Sequence, residues 1–252
     1  MTMSLGHSIN FKGHTPVWLY DYLGILEPKE GDELDLAGQK FIQRKGILRN
    51  QLLLSENQAQ TEKIFDFKWK KENTFDSQAS LSRMRLWLIE RYGDISTADW
   101  LIDHGENPIL IDAGCGAAMS TLELFGNLIP KVRYLGVDVS SAIDVAAKRF
   151  AERGLQGTFM QADINKPPLP INSVDLIFSE GALHHTDSTK ESLLSLSRCL
   201  KKGGRILFYV YRKKGPIREF TDDLIRDQLQ TMQPQKAWEA VEPLSKLGIA
   251  LG

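Results

Sequence analysis

The sequence predicts an α/β protein with a doubly wound, mostly parallel sheet. Three observations predict it. From Pro108 onward, short apolar runs alternate with amphipathic helical stretches, the pattern that crossover helices between parallel strands leave in a chain. The first run, Ile109–Ala113, leads into Gly114 and Gly116, and sheets of this kind present the carboxyl ends of their strands to ligands. The second run, Tyr134–Val139, carries an acid, Asp138, near its end.

Residues 1–75 read as an N-terminal extension, punctuated by Gly13, Pro16, Gly24, Pro28, Gly31, Gly38 and Gly46. Within it, Phe41–Leu48 suits a short hairpin around Lys45–Gly46. Phe65–Trp69 alternates aromatic and polar residues and reads as a strand or as an aromatic hook packed on the main domain. Residues 76–252 form the second unit. Leu81, Met84, Leu88 and Tyr92, at spacings of three and four, predict a helix over 79–92, with Trp87 beside the stripe and Gly93 as its cap. A second short helix is expected over Thr97–His104.

The strands then follow in order. Ile109–Ala113 is the first, Tyr134–Val139 the second, Thr158–Gln161 the third and Val174–Ser179 the fourth. Between them lie helices at Met119–Leu128 and Ser141–Arg153, the latter capped by Ser140 and ended by Gly154. Thr189–Leu200 is amphipathic, with Leu193, Leu196 and Leu200 on one face. Gly203–Gly204 makes a turn into a fifth strand, Arg205–Tyr211. Ile217, Phe220 and Leu224 mark a further helix, a second lies around Trp238–Val241, and Leu247–Leu251 is the last apolar run.

Composition narrows the function. The 252 residues suffice for one sizeable α/β domain and a small extension, and 42% hydrophobic with 25% charged residues is ordinary for a soluble protein. A formal charge of −1 gives no global basic field for nucleic acid or membrane. The basic runs Lys68–Lys71 and Arg212–Lys214 read as solvated surface. Two cysteines, Cys115 and Cys199, exclude a disulfide framework and a cysteine-based zinc site, and read as free thiols of a reducing compartment. No basic start with an apolar core opens the chain, and no apolar stretch reaches the ~20 residues a membrane span needs. The expected location is cytoplasmic.

Five motifs carry the chemistry. They are Ile111-Asp112-Ala113-Gly114-Cys115-Gly116, Gly136-Val137-Asp138-Val139-Ser140, Gln161-Ala162-Asp163-Ile164, Phe178-Ser179-Glu180-Gly181-Ala182-Leu183-His184-His185, and Arg198–Arg205 with its two glycines. A glycine at the end of the first strand lets backbone approach a ligand with no Cβ in the way. In this order, over residues 109–211, the motifs resemble the class I S-adenosylmethionine-dependent methyltransferases. The resemblance implies S-adenosyl-L-methionine as cofactor. It implies that Asp112 offsets the cofactor's amino group, directly or through water. Gly114, Cys115 and Gly116 would bring the backbone against the cofactor, and the free N–H groups of the helix that follows would meet its carboxylate. Asp138 would accept from the ribose hydroxyls with Val139 against the adenine, and Asp163 from the adenine amino group with Ile164 on the ring. Ser179 would line the methionine end. His184 or His185 would take a proton from the acceptor, or serve as a helix-start histidine satisfied by backbone. No metal ligand set is expected, because adjacent histidines on a helix point apart.

The reaction so implied is in-line displacement at the methyl carbon, in which alignment of acceptor and methyl contributes ~7–11 kcal/mol. Two other readings compete. A nicotinamide-dependent oxidoreductase also places glycines after strand one, but its fingerprint needs a glycine where this chain has Met119. A non-catalytic binding or interaction module on the same fold would keep the cofactor residues. Two departures from the family stand out. Some bacterial members carry a small zinc-ribbon-like segment ahead of the methyltransferase, which residues 20–75 resemble without the cysteines, as a metal-free remnant or a lid. Members of the family also place a C-terminal hairpin beyond strand five, and here it is missing, the expectation being a fragment or a natural truncation with an open sheet edge. The acceptor is expected to be a small molecule, not a nucleic acid.

Overall fold

The computed structural model describes residues 17–51, 77–95, 105–212 and 215–251, together with 59, 63, 64 and 67. Five strands arise from the alternating region: β4 (Ile109–Ala113), β5 (Arg133–Asp138), β6 (Thr158–Gln161), β7 (Val174–Glu180) and β8 (Leu200–Tyr209). Three more come from the N-terminal segment: β1 (Glu33–Leu36), β2 (Gln39–Arg44) and β3 (Ile47–Asn50). All eight belong to one sheet, ordered β1-β2-β3-β6-β5-β4-β7-β8. The pairs from β3 through β8 are parallel, and only β1–β2 and β2–β3 are antiparallel. The chain winds outward from β4 to β6 and then returns to place β7 on the other side of β4. The crevice where the winding reverses therefore opens at the carboxyl ends of β4 and β7.

The two sheet faces divide by strand periodicity. Ile109, Ile111 and Ala113 pack with Leu135, Val137, Met160 and Ile177 on one face, and Leu110 packs with Tyr134, Phe159, Leu176 and Phe178 on the other. Every residue of β4 is buried, which is why it reads as a continuous apolar run instead of an alternating one. The second face is covered by α2 (Gln78–Tyr92), α3 (Met119–Phe125) and α4 (Ala142–Glu152), through Leu88, Leu122, Phe125, Ile143, Ala146 and Phe150. The first is covered by α1 (Val17–Leu23), through Leu19 and Tyr20, and α5 (Thr189–Cys199), through Leu196 and Cys199. The crossover from β6 to β7 contains no helix, so α1 occupies the layer where such a helix would lie. Each of the buried Leu, Ile and Phe side chains contributes roughly 1.5–3 kcal/mol by leaving water.

The N-terminal strands are the largest addition to the sequence reading. The hairpin around Lys45–Gly46 is present, with φ 53° and 72° at those residues, the two positive values that a tight hairpin turn needs. Its strand β3 pairs with β6 through Leu48 and Met160, and Arg49 pairs with Asp144 on α4 (2.7 Å). The segment 33–50 is thus continuous with the main sheet.

The second difference lies at Gly203–Gly204. The sequence placed a turn there ahead of the strand, but β8 already begins at Leu200. The ladder with β7 jumps from Val174–Leu200 to Leu176–Arg205, so the glycines sit in a bulge inside the strand. α6 (Pro216–Leu229) and α7 (Pro234–Leu251) follow, and no strand follows β8 among the described residues. Phe67 sets its ring edge against Trp238 at 6.2 Å; the rest of Phe65–Trp69 lies outside the described residues, as does the helix expected over Thr97–His104. No described helix is long and apolar enough to cross a membrane.

Candidate functional site

A cavity of about 270 Å³ opens at the carboxyl ends of β4, β5 and β7. Asp112, Gly114, Cys115, Gly116, Asp138, Val139, Asp163, Ile164 and His185 line it, as the sequence suggested. Trp87, Met119, Glu180, Tyr209 and Tyr211 line it as well.

The loop after β4 is held against β5. The backbone N–H groups of Gly114 and Cys115 both donate to the Val137 carbonyl, at 2.7 and 3.1 Å. Gly116 N–H donates to Asp138 Oδ2 at 2.8 Å. These three donors are spent inside the protein. Gly114 has φ +77°, and a Cβ there would overlap that of Ala182. A glycine is therefore required twice over, by the left-handed backbone and by the close approach of the segment after β7. Arg149 on α4 donates to the Ala117 carbonyl (3.1 Å) and pins the loop from behind. Burial pushes the Cys115 thiol well up, so it stays protonated.

Asp112 is 3% exposed. Its Oδ2 accepts from the Thr121 hydroxyl and from Tyr134 OH. Burial nonetheless pushes its pKa from 3.8 up to about 7, against the pull of those two donors. An acid placed this way costs the free fold stability, and a positive group arriving beside it would lower that cost.

Asp138 accepts from Gly116 N–H on Oδ2, and from the Ser140 N–H (2.8 Å) and hydroxyl (2.6 Å) on Oδ1. Burial raises its pKa while these donors lower it. The Ser140 hydroxyl also accepts from Ala142 N–H (3.3 Å) at the start of α4, so one serine links the acid to the helix. Asp163 accepts from the backbone and side-chain nitrogens of Asn165, each at 2.9 Å.

The segment after β7 divides differently from the sequence expectation. Ser179 is fully buried and donates to the Ala113 carbonyl at 2.7 Å; it ties β7 to β4 and is not on the cavity wall. Its neighbour Glu180 is. His184 and His185 fall in a short 3-10 turn, Leu183–His185. His185 reaches the cavity, whereas His184 stacks against Tyr211 with ring centroids 4.0 Å apart. Among the described residues neither ring nitrogen of His184 has a hydrogen-bond partner, and burial lowers its pKa.

Glu180 is the terminus of a clamp that the sequence did not disclose. It accepts from Arg91 and from the Tyr92 hydroxyl, both on α2. The Arg91 guanidinium lies 3.9 Å from the Trp87 ring centroid and 3.5 Å from that of Tyr209. Burial, and then the carboxylate, push the Tyr92 phenol up. The signal in the sequence was Trp87 itself, a large ring one step off the apolar stripe of its helix. Replacing Glu180 with Gln is expected to cost about 1–2 kcal/mol, because the amide keeps one acceptor oxygen and turns an NH₂ toward the other donor, and the bond to Arg91 loses its ionic partner. Thermal unfolding should show a midpoint lower by roughly 2–8 °C.

Comparison with known proteins gives a consistent picture. The family model described as "Methyltransferase domain" matches residues 111–208. The ubiquinone/menaquinone biosynthesis C-methyltransferase UbiE of Ectopseudomonas mendocina is 34% identical over 77 residues, covering 30% of this chain and 30% of that protein. The malonyl-[acyl-carrier protein] O-methyltransferase of Paenibacillus sp. is 31% identical over 108 residues, covering 41% of this chain and 39% of that one. Among solved structures, the YcgJ protein of Bacillus subtilis is 29% identical with a TM-score of 0.42, covering 48% of this chain and 52% of that one. The matched region spans less than half the length of these two curated relatives.

Proposed function

We propose that the chain, whose residues 111–208 match the methyltransferase domain model, is a class I S-adenosylmethionine-dependent methyltransferase, and that its cavity holds S-adenosyl-L-methionine and directs the methyl group to a small-molecule acceptor. The observation that carries this is the convergence of Asp112, Asp138 and Asp163 on one cavity around the Gly114 loop. Two features fit the cofactor independently of any motif. Asp112 is a buried carboxyl with no cation among its bonded partners, suited to an ammonium group. Gly114 and Gly116 bring backbone to the cavity wall, suited to a close-lying chain. Asp138 would take the ribose, and Asp163 with Val139 and Ile164 the adenine.

When bound, S-adenosylmethionine supplies a methyl group on a positively charged sulfur leaving group. This chain's residues then hold the acceptor in line and exclude water. His185, on the cavity wall, is placed to receive the proton of a hydroxyl or amine acceptor. His184, stacked on Tyr211, would position its neighbour. Residues 1–75 are an N-terminal addition whose described part supports the sheet, and 76–252 hold the methyltransferase unit. We place the protein in the cytoplasm, with no nucleic acid partner, on its balanced charge.

Calorimetry with S-adenosylmethionine and S-adenosylhomocysteine tests this reading. Saturable binding of both is expected. Binding of neither, or of NADH in their place, would overturn it. Asp112 adds a pH signature. An ammonium beside it favours the carboxylate, so binding releases a proton below pH about 7. Affinity should then rise with pH, by up to about tenfold per unit, and level off above that value. For the free chain the sign is opposite: the fold keeps the proton to about 7 while the unfolded chain yields it near 3.8. Stability therefore falls as pH rises across that window. Asp112→Asn should remove both effects.

A further inference from the structure

Rings, not charges, dominate the outer part of the cavity. Trp87 and Tyr209 stand edge to face at 6.0 Å between centroids, Tyr209 and Tyr211 at 5.7 Å, and Tyr211 and His185 at 6.2 Å. The row comes from three separate elements: α2, the end of β8 with the residues after it, and the turn after β7. Trp87 is 45% exposed and Tyr211 59%, so much ring surface at the cavity wall faces water. The charged groups among the lining residues all have one sign: Asp112, Asp138, Asp163 and Glu180, with no Lys or Arg among the described lining residues. Arg91 is already engaged by Glu180 and by the faces of Trp87 and Tyr209.

We propose that the methyl acceptor is an uncharged planar aromatic compound seated on the Trp87–Tyr209–Tyr211 row. This rests on the cofactor reading above and adds the acceptor's chemical class to it. A ring on this row gains apolar burial together with edge-to-face contacts. A carboxylate or phosphate would enter a cavity of like charge with no lining cation to answer it, and a flexible aliphatic chain would forgo the ring contacts.

The test titrates the full chain, free and saturated with S-adenosylhomocysteine, with three probes: naphthol, naphthoate and decalol. Naphthol is expected to bind at least about fivefold more tightly than either of the others, since ring contacts and charge each contribute. Trp87→Ala and Tyr211→Ala, at exposed positions, should each weaken naphthol by about threefold or more. Equal or tighter naphthoate binding would overturn the proposal. So would naphthol binding that both variants leave unchanged, or no naphthol binding at millimolar concentration. S-adenosylhomocysteine affinity on the same samples judges the cofactor reading separately, and the ring variants decide the aromatic site with or without it.

Discussion

Asp138→Ala is expected to weaken S-adenosylmethionine binding by at least about a hundredfold. Two bonds from ribose hydroxyls to a carboxylate are worth roughly 3 kcal/mol together. The loss has a second source. Asp138 also holds Gly116 N–H and both donors of Ser140, so removing it frees the loop that forms the floor of the cavity. Asp138→Asn separates the two. It keeps an oxygen for Ser140 but turns an amide NH₂ toward Gly116 N–H, opposing one donor with another. Calorimetry reads affinity and a thermal melt reads the loop. Unchanged affinity in Asp138→Ala would reject the ribose assignment.

Gly114→Ala is expected to disable the fold and the site together. The backbone there has φ +77°, which costs an alanine about 1–2 kcal/mol. The added methyl also overlaps Ala182, and overpacking of this kind costs about 1–3 kcal/mol more. A melting midpoint lower by roughly 4–20 °C follows for a chain of this size. Cofactor binding should fall below detection, because the loop can relieve the contact only by moving into the cavity. The double variant Gly114→Ala/Ala182→Gly removes the overlap and leaves the φ strain. It should recover the packing share of the loss and not the rest. Full recovery would show that the left-handed backbone is not needed, and no recovery would show that Ala182 is not the obstacle.

The central sheet was legible because its strands are buried on both faces and separated by capped, amphipathic helices. Ile109–Ala113 and Val174–Ser179 stand out in composition alone. β1 did not, because four residues of alternating polarity, Glu33-Leu34-Asp35-Leu36, at a sheet edge carry little apolar signal. The hairpin was visible through Lys45–Gly46, but its pairing with β6 was not, since nothing local in Leu48 specifies Met160. The site was legible where chemistry follows a strand end. Asp112, Asp138, Asp163 and His185 all reach the cavity. It was illegible where tertiary packing assembles it: Trp87, Glu180, Tyr209 and Tyr211 meet only after α2 docks. Ser179 shows the reverse error, a residue at a functional position in the motif whose hydroxyl is spent on the Ala113 carbonyl.

The junction of β3 with β6 carries a consequence for how the chain reaches this state. Residues 33–50 are synthesised early, and their hairpin closes locally within microseconds. The edge that β3 offers has no partner until Thr158–Gln161 has been made. During synthesis it is an exposed strand waiting on a distant one, and its closure bears the entropy of a long intervening loop. Folding is then expected to be limited by this late docking step. The free hairpin edge is where a nascent chain is most open to pairing with a neighbour or to capture by a chaperone.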